Sequence, residues 1–231
     1  MYYGMSYDPV QMLILIISMA ITGYASMKVK GAFEKYSRVR CLSGYTGEET
    51  ARRILMINNL GSVGIKPING SMTDHYNPLT KEVSLSQTVY GANTISAISV
   101  AAHEVGHAIQ DATGYGFLKF RHKIYPITNF ASQLSIPIIL AGLIFSRELI
   151  TVGIALFAFT TMFTLVTLPV EFNASSRAIA ALSGSGILSP EELDGAKEVL
   201  NAAALTYVAA AASSILMLLR LVMLFGNRNR D

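Results

Sequence analysis

Charge is absent from four long stretches of the chain, Val10 to Met27, Ile124 to Phe145, Leu149 to Val170 and Leu200 to Leu219. Each comes close to the roughly 20 residues that a helix needs to cross about 30 Å of hydrocarbon. Four core helices of this kind in a soluble protein would need more polar surface than the rest of the chain supplies, so the pattern predicts four membrane spans. The flank of the first run, Met1 to Pro9, holds Asp8 and no Lys or Arg, which reads as a retained anchor rather than a signal peptide. Lys28, Lys30, Lys35, Arg38 and Arg40 follow it, and the basic side of a span tends to stay in the cytoplasm. Runs two and three are separated only by Ser146, Arg147 and Glu148, so they form a tight antiparallel hairpin. Residues 28–123 and 171–199 therefore emerge on the same face, expected to be cytoplasmic. Arg228 and Arg230, beyond the fourth run, oppose that absolute orientation but not the shared face.

Between the spans the pattern changes. Thr46 with Glu49 has the spacing of a capping box and opens an amphipathic helix that ends at Asn59 to Gly61. Pro67, Asn69, Gly70, Asn77 and Pro78 are turn formers, and Lys81 to Ser86 alternates Val83 and Leu85 with polar neighbours, as in a short strand or hairpin. Strand Glu82–Ser86 is expected either as an edge that pairs with an extended substrate or as a core strand. Asn93 to Ala112 is rich in Ala, Ile and Val and predicts a largely buried helix, with Asp111 near its end. The alanine-rich stretch Ala202 to Ala212 in the fourth run favours close helix packing.

The fold class that follows is mainly α: an integral membrane protein with about four transmembrane helices and a small α+β region containing a short hairpin or sheet. Its expected parts are an N-terminal anchor (1–28), a region with the buried helix (29–123), a transmembrane hairpin (124–170), a polar segment (171–199) and a last transmembrane helix with its tail (200–231).

Composition narrows the chemistry. Among 231 residues, 52% are apolar and 14% charged, against about 25% charged in soluble domains. A net charge of +3 is too mild for a nucleic-acid footprint. The single cysteine, Cys41, excludes an internal disulfide and any multi-cysteine zinc or iron–sulfur site. Metal chemistry therefore falls to histidine and carboxylate.

Inside the buried helix stands His103-Glu104-Val105-Gly106-His107, an HExxH pattern. Residues four apart share one helix face, so both imidazoles can address one metal ion, and Glu104 beside the first has the general-base position. Three ionisable groups on an apolar helix are costly unless compensated, and a divalent cation compensates them. Hydrolytic zinc sites usually take a third protein ligand. Glu171, the first ionisable residue after the third run, is the strongest candidate, because the hairpin returns it to the face that carries His107.

The chain resembles the YugP-type membrane zinc metallopeptidases in Asp74-His75-Tyr76-Asn77-Pro78, in Ala101-Ala102-His103-Glu104-Val105-Gly106-His107-Ala108-Ile109-Gln110 and in Glu171-Phe172-Asn173-Ala174-Ser175-Ser176-Arg177-Ala178. A broader likeness links it to the HtpX and prenyl-protein protease group, in which the glutamate ligand is followed four residues on by aspartate. Here that position is Ser175, so the aspartate's role is not carried over. The resemblance implies a zincin-like, gluzincin-type site: His103, His107 and Glu171 on Zn2+, and peptide-bond hydrolysis by metal-activated water with Glu104 as base and proton carrier. For the oxyanion or the substrate it leaves His75, Tyr76, Arg177 and Tyr207 as candidates. His122, in a basic aromatic stretch before the second run, suits interfacial anchoring better than metal binding.

The expected function is a membrane-embedded zinc endopeptidase in the plasma (inner) membrane of a prokaryote, with a cytoplasmic site. Its expected partners are a membrane-associated polypeptide substrate and the lipid bilayer, without nucleic acid; an oligomer or an accessory membrane partner is compatible with the sequence. Two rivals are a non-catalytic membrane scaffold that binds metal, for which Glu104 would be superfluous, and an intramembrane-cleaving protease, for which the motif should lie inside a span.

Overall fold

A computed structural model describes residues 8–226. The element order is α1 (Pro9–Tyr36), α2 (Gly47–Ile57), β1 (Gly64–Ile68), β2 (His75–Asn77), β3 (Glu82–Ser86), α3 (Gln87–Tyr90), α4 (Ile95–Ala112), α5 (Gly116–Ile144), α6 (Arg147–Ser185) and α7 (Pro190–Gly226). The protein is mainly helical with one small mixed sheet, as its sequence pattern predicts. Each apolar run coincides with a long helix, α1, α5, α6 or α7, and all four are long and apolar enough to cross a membrane. Arg228, Arg230 and the flank before Asp8 lie outside the described residues.

The helices outrun the apolar stretches. Helix α6 continues through Pro169 to Ser185, and α7 starts at Pro190, so the polar stretch after the third run is mostly helix. Pro126 and Pro137 lie inside α5 and Pro169 inside α6, which is tolerated where neighbouring groups re-satisfy the freed carbonyls.

The chain divides into two compact units. One holds 8–26, 120–168 and 206–226, the apolar parts of the four long helices. Helices α5 and α6 pack closely there, since a Cβ on Gly142 would meet Ile150 and one on Gly153 would meet Ile139 and the Ser135 carbonyl. Large apolar side chains such as Leu13, Ile16, Met19, Ile127, Phe130 and Leu140 stay exposed, a surface that suits hydrocarbon rather than water.

The other unit holds 27–119 and 169–205. At its centre α4 is buried on nearly every side: Ala97, Ile98, Ala101, Ala102, Val105 and Ala108 join Ile54 and Leu55 of α2, Val83 and Leu85 of β3, Val89 of α3 and Ala178 and Leu182 of α6 in one apolar cluster. Thr94 caps α4 by accepting from Ala97 N. The box expected at the start of α2 forms, with Thr46 accepting from Glu49 N and the Glu49 carboxylate accepting from Thr46 N.

The sheet order is β1-β3-β2, parallel between β1 and β3 and antiparallel between β2 and β3. Val83 pairs with Ile65 on one side and Tyr76 on the other. Strand β3 is therefore the central strand, and the edge reading of Glu82–Ser86 does not hold. Ser84 and Ser86 are buried along with Val83 and Leu85, a two-sided burial that simple alternation does not reveal.

Candidate metal centre

Paired rings on α4 face the start of the polar part of α6. His103 and His107, one turn apart, stand edge to face with ring centroids 4.9 Å apart and planes at 85°. Glu171 Oε2 lies 3.3 Å from His103 Nε2 and 3.6 Å from His107 Nε2. All three side chains are largely withdrawn from solvent, the carboxylate most of all at 4% exposure. What brings α6 this close is Gly106, the residue between Val105 and His107: its Cα faces the backbone of Ala174 where a side chain would have no room.

The donor set fits zinc. Among the described residues, His103, His107 and Glu171 form a group whose three ligand atoms lie within 4.8 Å of one another. Donors about 2.0–2.1 Å from a tetrahedral ion are roughly 3.3 Å apart, close to the two separations found. Two nitrogens and one carboxylate oxygen also match the preference of that ion, and three protein donors leave one position open.

The far nitrogens of both rings are engaged. Ser175 Oγ lies 3.1 Å from His103 Nδ1, and Gln110 Oε1 lies 3.0 Å from His107 Nδ1. Burial works against a charged His107, yet its contact with the Glu171 carboxylate and the nearby charge of Glu104 hold its pKa above the ordinary imidazole value. Glu104, on the same helix, is itself buried.

Over residues 11–226 the chain matches the family described as “Putative neutral zinc metallopeptidase”. It is 51% identical over 220 residues to “Putative membrane protease YugP” of Bacillus subtilis (strain 168), which covers 94% of this chain and 98% of that relative. The chain belongs to this zinc metallopeptidase family. No solved structure matches it.

The other candidate residues of this zinc metallopeptidase make the following contacts. His75 is exposed on β2, with Nδ1 2.9 Å from the Thr73 carbonyl. The Tyr76 hydroxyl donates to Asp111 over 2.7 Å, and burial together with that carboxylate raises its pKa above the ordinary phenol value. Asp111 also takes Lys81, which ties the β2–β3 hairpin to the end of α4. Arg177 Nε donates to Asn173 Oδ1 over 2.8 Å. Tyr207 belongs to the other compact unit.

Sequence reasoning passed over Gln110, Asn173 and the contact of Ser175. A signal for Gln110 was present: an amide three residues after His107, on a helix predicted to be buried, needs partners.

Proposed function

We propose that this chain is an integral-membrane zinc endopeptidase in which His103, His107 and Glu171 hold the ion and Glu104 carries the proton. The observation that supports this most is the meeting of three zinc-type donor atoms within 4.8 Å, two from α4 and one from α6 beyond its apolar stretch. When bound, zinc supplies Lewis acidity, lowering the pKa of a water and polarising the scissile carbonyl. Glu104 takes the proton of the attacking water at its carboxylate and returns it to the leaving amine. Its burial keeps bulk water from competing for that proton. Ser175 and Gln110 hold the rings in the orientation that presents Nε2 toward Glu171. The substrate class is membrane-associated or misfolded polypeptide, met at the cytoplasmic face of the plasma membrane, on the side where Lys28, Lys30, Lys35, Arg38 and Arg40 follow the first span.

Metal analysis of detergent-purified wild type and Glu104→Gln tests this reading. Near-stoichiometric zinc is expected in both, with peptide-bond hydrolysis lost only in the variant. A wild type without zinc would overturn the metal reading, and unchanged cleavage by the variant would remove Glu104 from the chemistry.

A further inference from the structure

Gln110 is fully buried, and every hydrogen-bonding atom of its side chain is spoken for. Nε2 donates to the Val170 carbonyl over 2.7 Å and to Asn173 Oδ1 over 3.0 Å, while Oε1 faces His107 Nδ1 at 3.0 Å. An amide can be turned end for end, so its orientation follows from its neighbours. Here they leave no choice. The Val170 carbonyl can only accept. Asn173 must present its oxygen to Arg177, because a guanidinium nitrogen can only donate. Turning Gln110 would set its oxygen against two acceptors. The amide oxygen therefore points at His107, and the His107 ring must answer with an Nδ1–H.

We propose that Gln110 is the positioning residue of the centre: it fixes the proton of His107 on Nδ1, leaving the Nε2 lone pair toward Glu171, and by its two donated bonds it pins the turn of α6 that presents Glu171. The direction of the chain Arg177 to Asn173 to Gln110 to His107 is set at one end by a group that cannot accept and along its length by a carbonyl that cannot donate. Without this chain, the Glu171 carboxylate 3.6 Å from Nε2 would draw the proton to that nitrogen, which is the one zinc needs bare. His103 is held differently, since the Ser175 hydroxyl rotates and can either donate or accept. The proposal rests on the zinc reading of the site, but the position of the ring proton is measurable without the metal.

The test uses full-length protein in detergent with 15N-labelled histidine, zinc-free and at alkaline pH, with the His107 signals assigned by His107→Asn. Long-range 1H–15N spectra report which ring nitrogen carries the proton, and competition with a chelator reports zinc affinity. The wild type is expected to hold the proton on Nδ1. Gln110→Met, similar in length and without hydrogen bonds, is expected to move it to Nε2 and to weaken zinc binding about 10- to 100-fold. Asn173→Asp, which keeps both acceptor contacts, is expected to stay near wild type in both readouts, whereas Asn173→Leu moves both toward Gln110→Met. If Gln110→Met does not fold, the two Asn173 variants carry the comparison. A wild-type proton on Nε2, Gln110→Met with the proton still on Nδ1 and affinity within about twofold of wild type, or Asn173→Asp no better than Asn173→Leu overturns the proposal. A wild type that binds no zinc while its proton sits on Nδ1 sinks the zinc reading alone.

Discussion

A Cβ placed on Gly106 of α4 would lie 2.5 Å from the carbonyl oxygen of Ala174 on α6, so the two helices meet backbone to backbone beside the paired rings. No side chain fits between them. Gly106→Ala must either push α6 away, carrying Glu171 with it, or strain both helices. Overpacking of this kind costs about 1–3 kcal/mol, and the variant is expected to melt lower and to hold zinc less tightly. Gly184→Ala, on α6 with open space around it, serves as the reference and should match wild type in thermal unfolding and zinc content. Equal behaviour of the two variants would show that the close approach does not set the geometry of the centre.

Glu171 Oε2 is the oxygen that faces the Nε2 atoms of both rings. Removing a donor from a three-residue set should cost far more metal affinity than altering a group behind it. Glu171→Ala is expected to lose zinc during purification, and Glu171→Gln, a weaker oxygen donor, to retain only part. Full retention in both, measured by elemental analysis, would hand the third position to another residue, with His75 next to be tested.

The raised pKa of His107 makes a prediction about pH. A histidine held above 6.5 contributes stability that is complete below about pH 6.5 and fades as the pH climbs through its raised value. Zinc has the opposite sign, because it binds rings that have lost the competing proton. Between about pH 6 and pH 9 the thermal midpoint of zinc-stripped protein should therefore fall, while the increment added by zinc grows. Calorimetry or nanoscale fluorimetry in one detergent checks both trends. A stripped protein that gains stability over this interval would contradict the assigned direction.

Topology is open to chemical labelling. In a Cys41→Ser background, cysteine at Ser71, an exposed residue between β1 and β2, should react with an impermeant reagent only after the membrane is opened from the cytoplasmic side. Cysteine at Ser146, in the short turn between α5 and α6, should react from outside. Labelling of both from one side only would break the hairpin arrangement.

Much of this architecture is legible in the sequence because local periodicity carries it. Charge-free runs of the right length mark the four long helices, and the spacing of His103 and His107 alone places both rings on one face of α4. The approach of Glu171 follows from chain order, since a hairpin as short as that between α5 and α6 must return to the face it left. What stays hidden depends on how separate elements meet. The central place of β3 is set by a parallel partner, β1, that lies before the β2 turn in the chain. The work of Gln110 depends on the Val170 carbonyl and Asn173, sixty and more positions away, and Ser175 reaches His103 only because Gly106 permits the crossing. Position in the chain says little about such contacts.

The order of the parts along α4, α5 and α6 has a consequence for biosynthesis. Both imidazoles leave the ribosome before the hairpin, and the carboxylate leaves after it. A nascent chain that has not yet made α5 and the apolar part of α6 owns two of the three protein donors and no more. A fragment that ends anywhere before Glu171 therefore lacks the donor that closes the set, however well its α4 helix is formed.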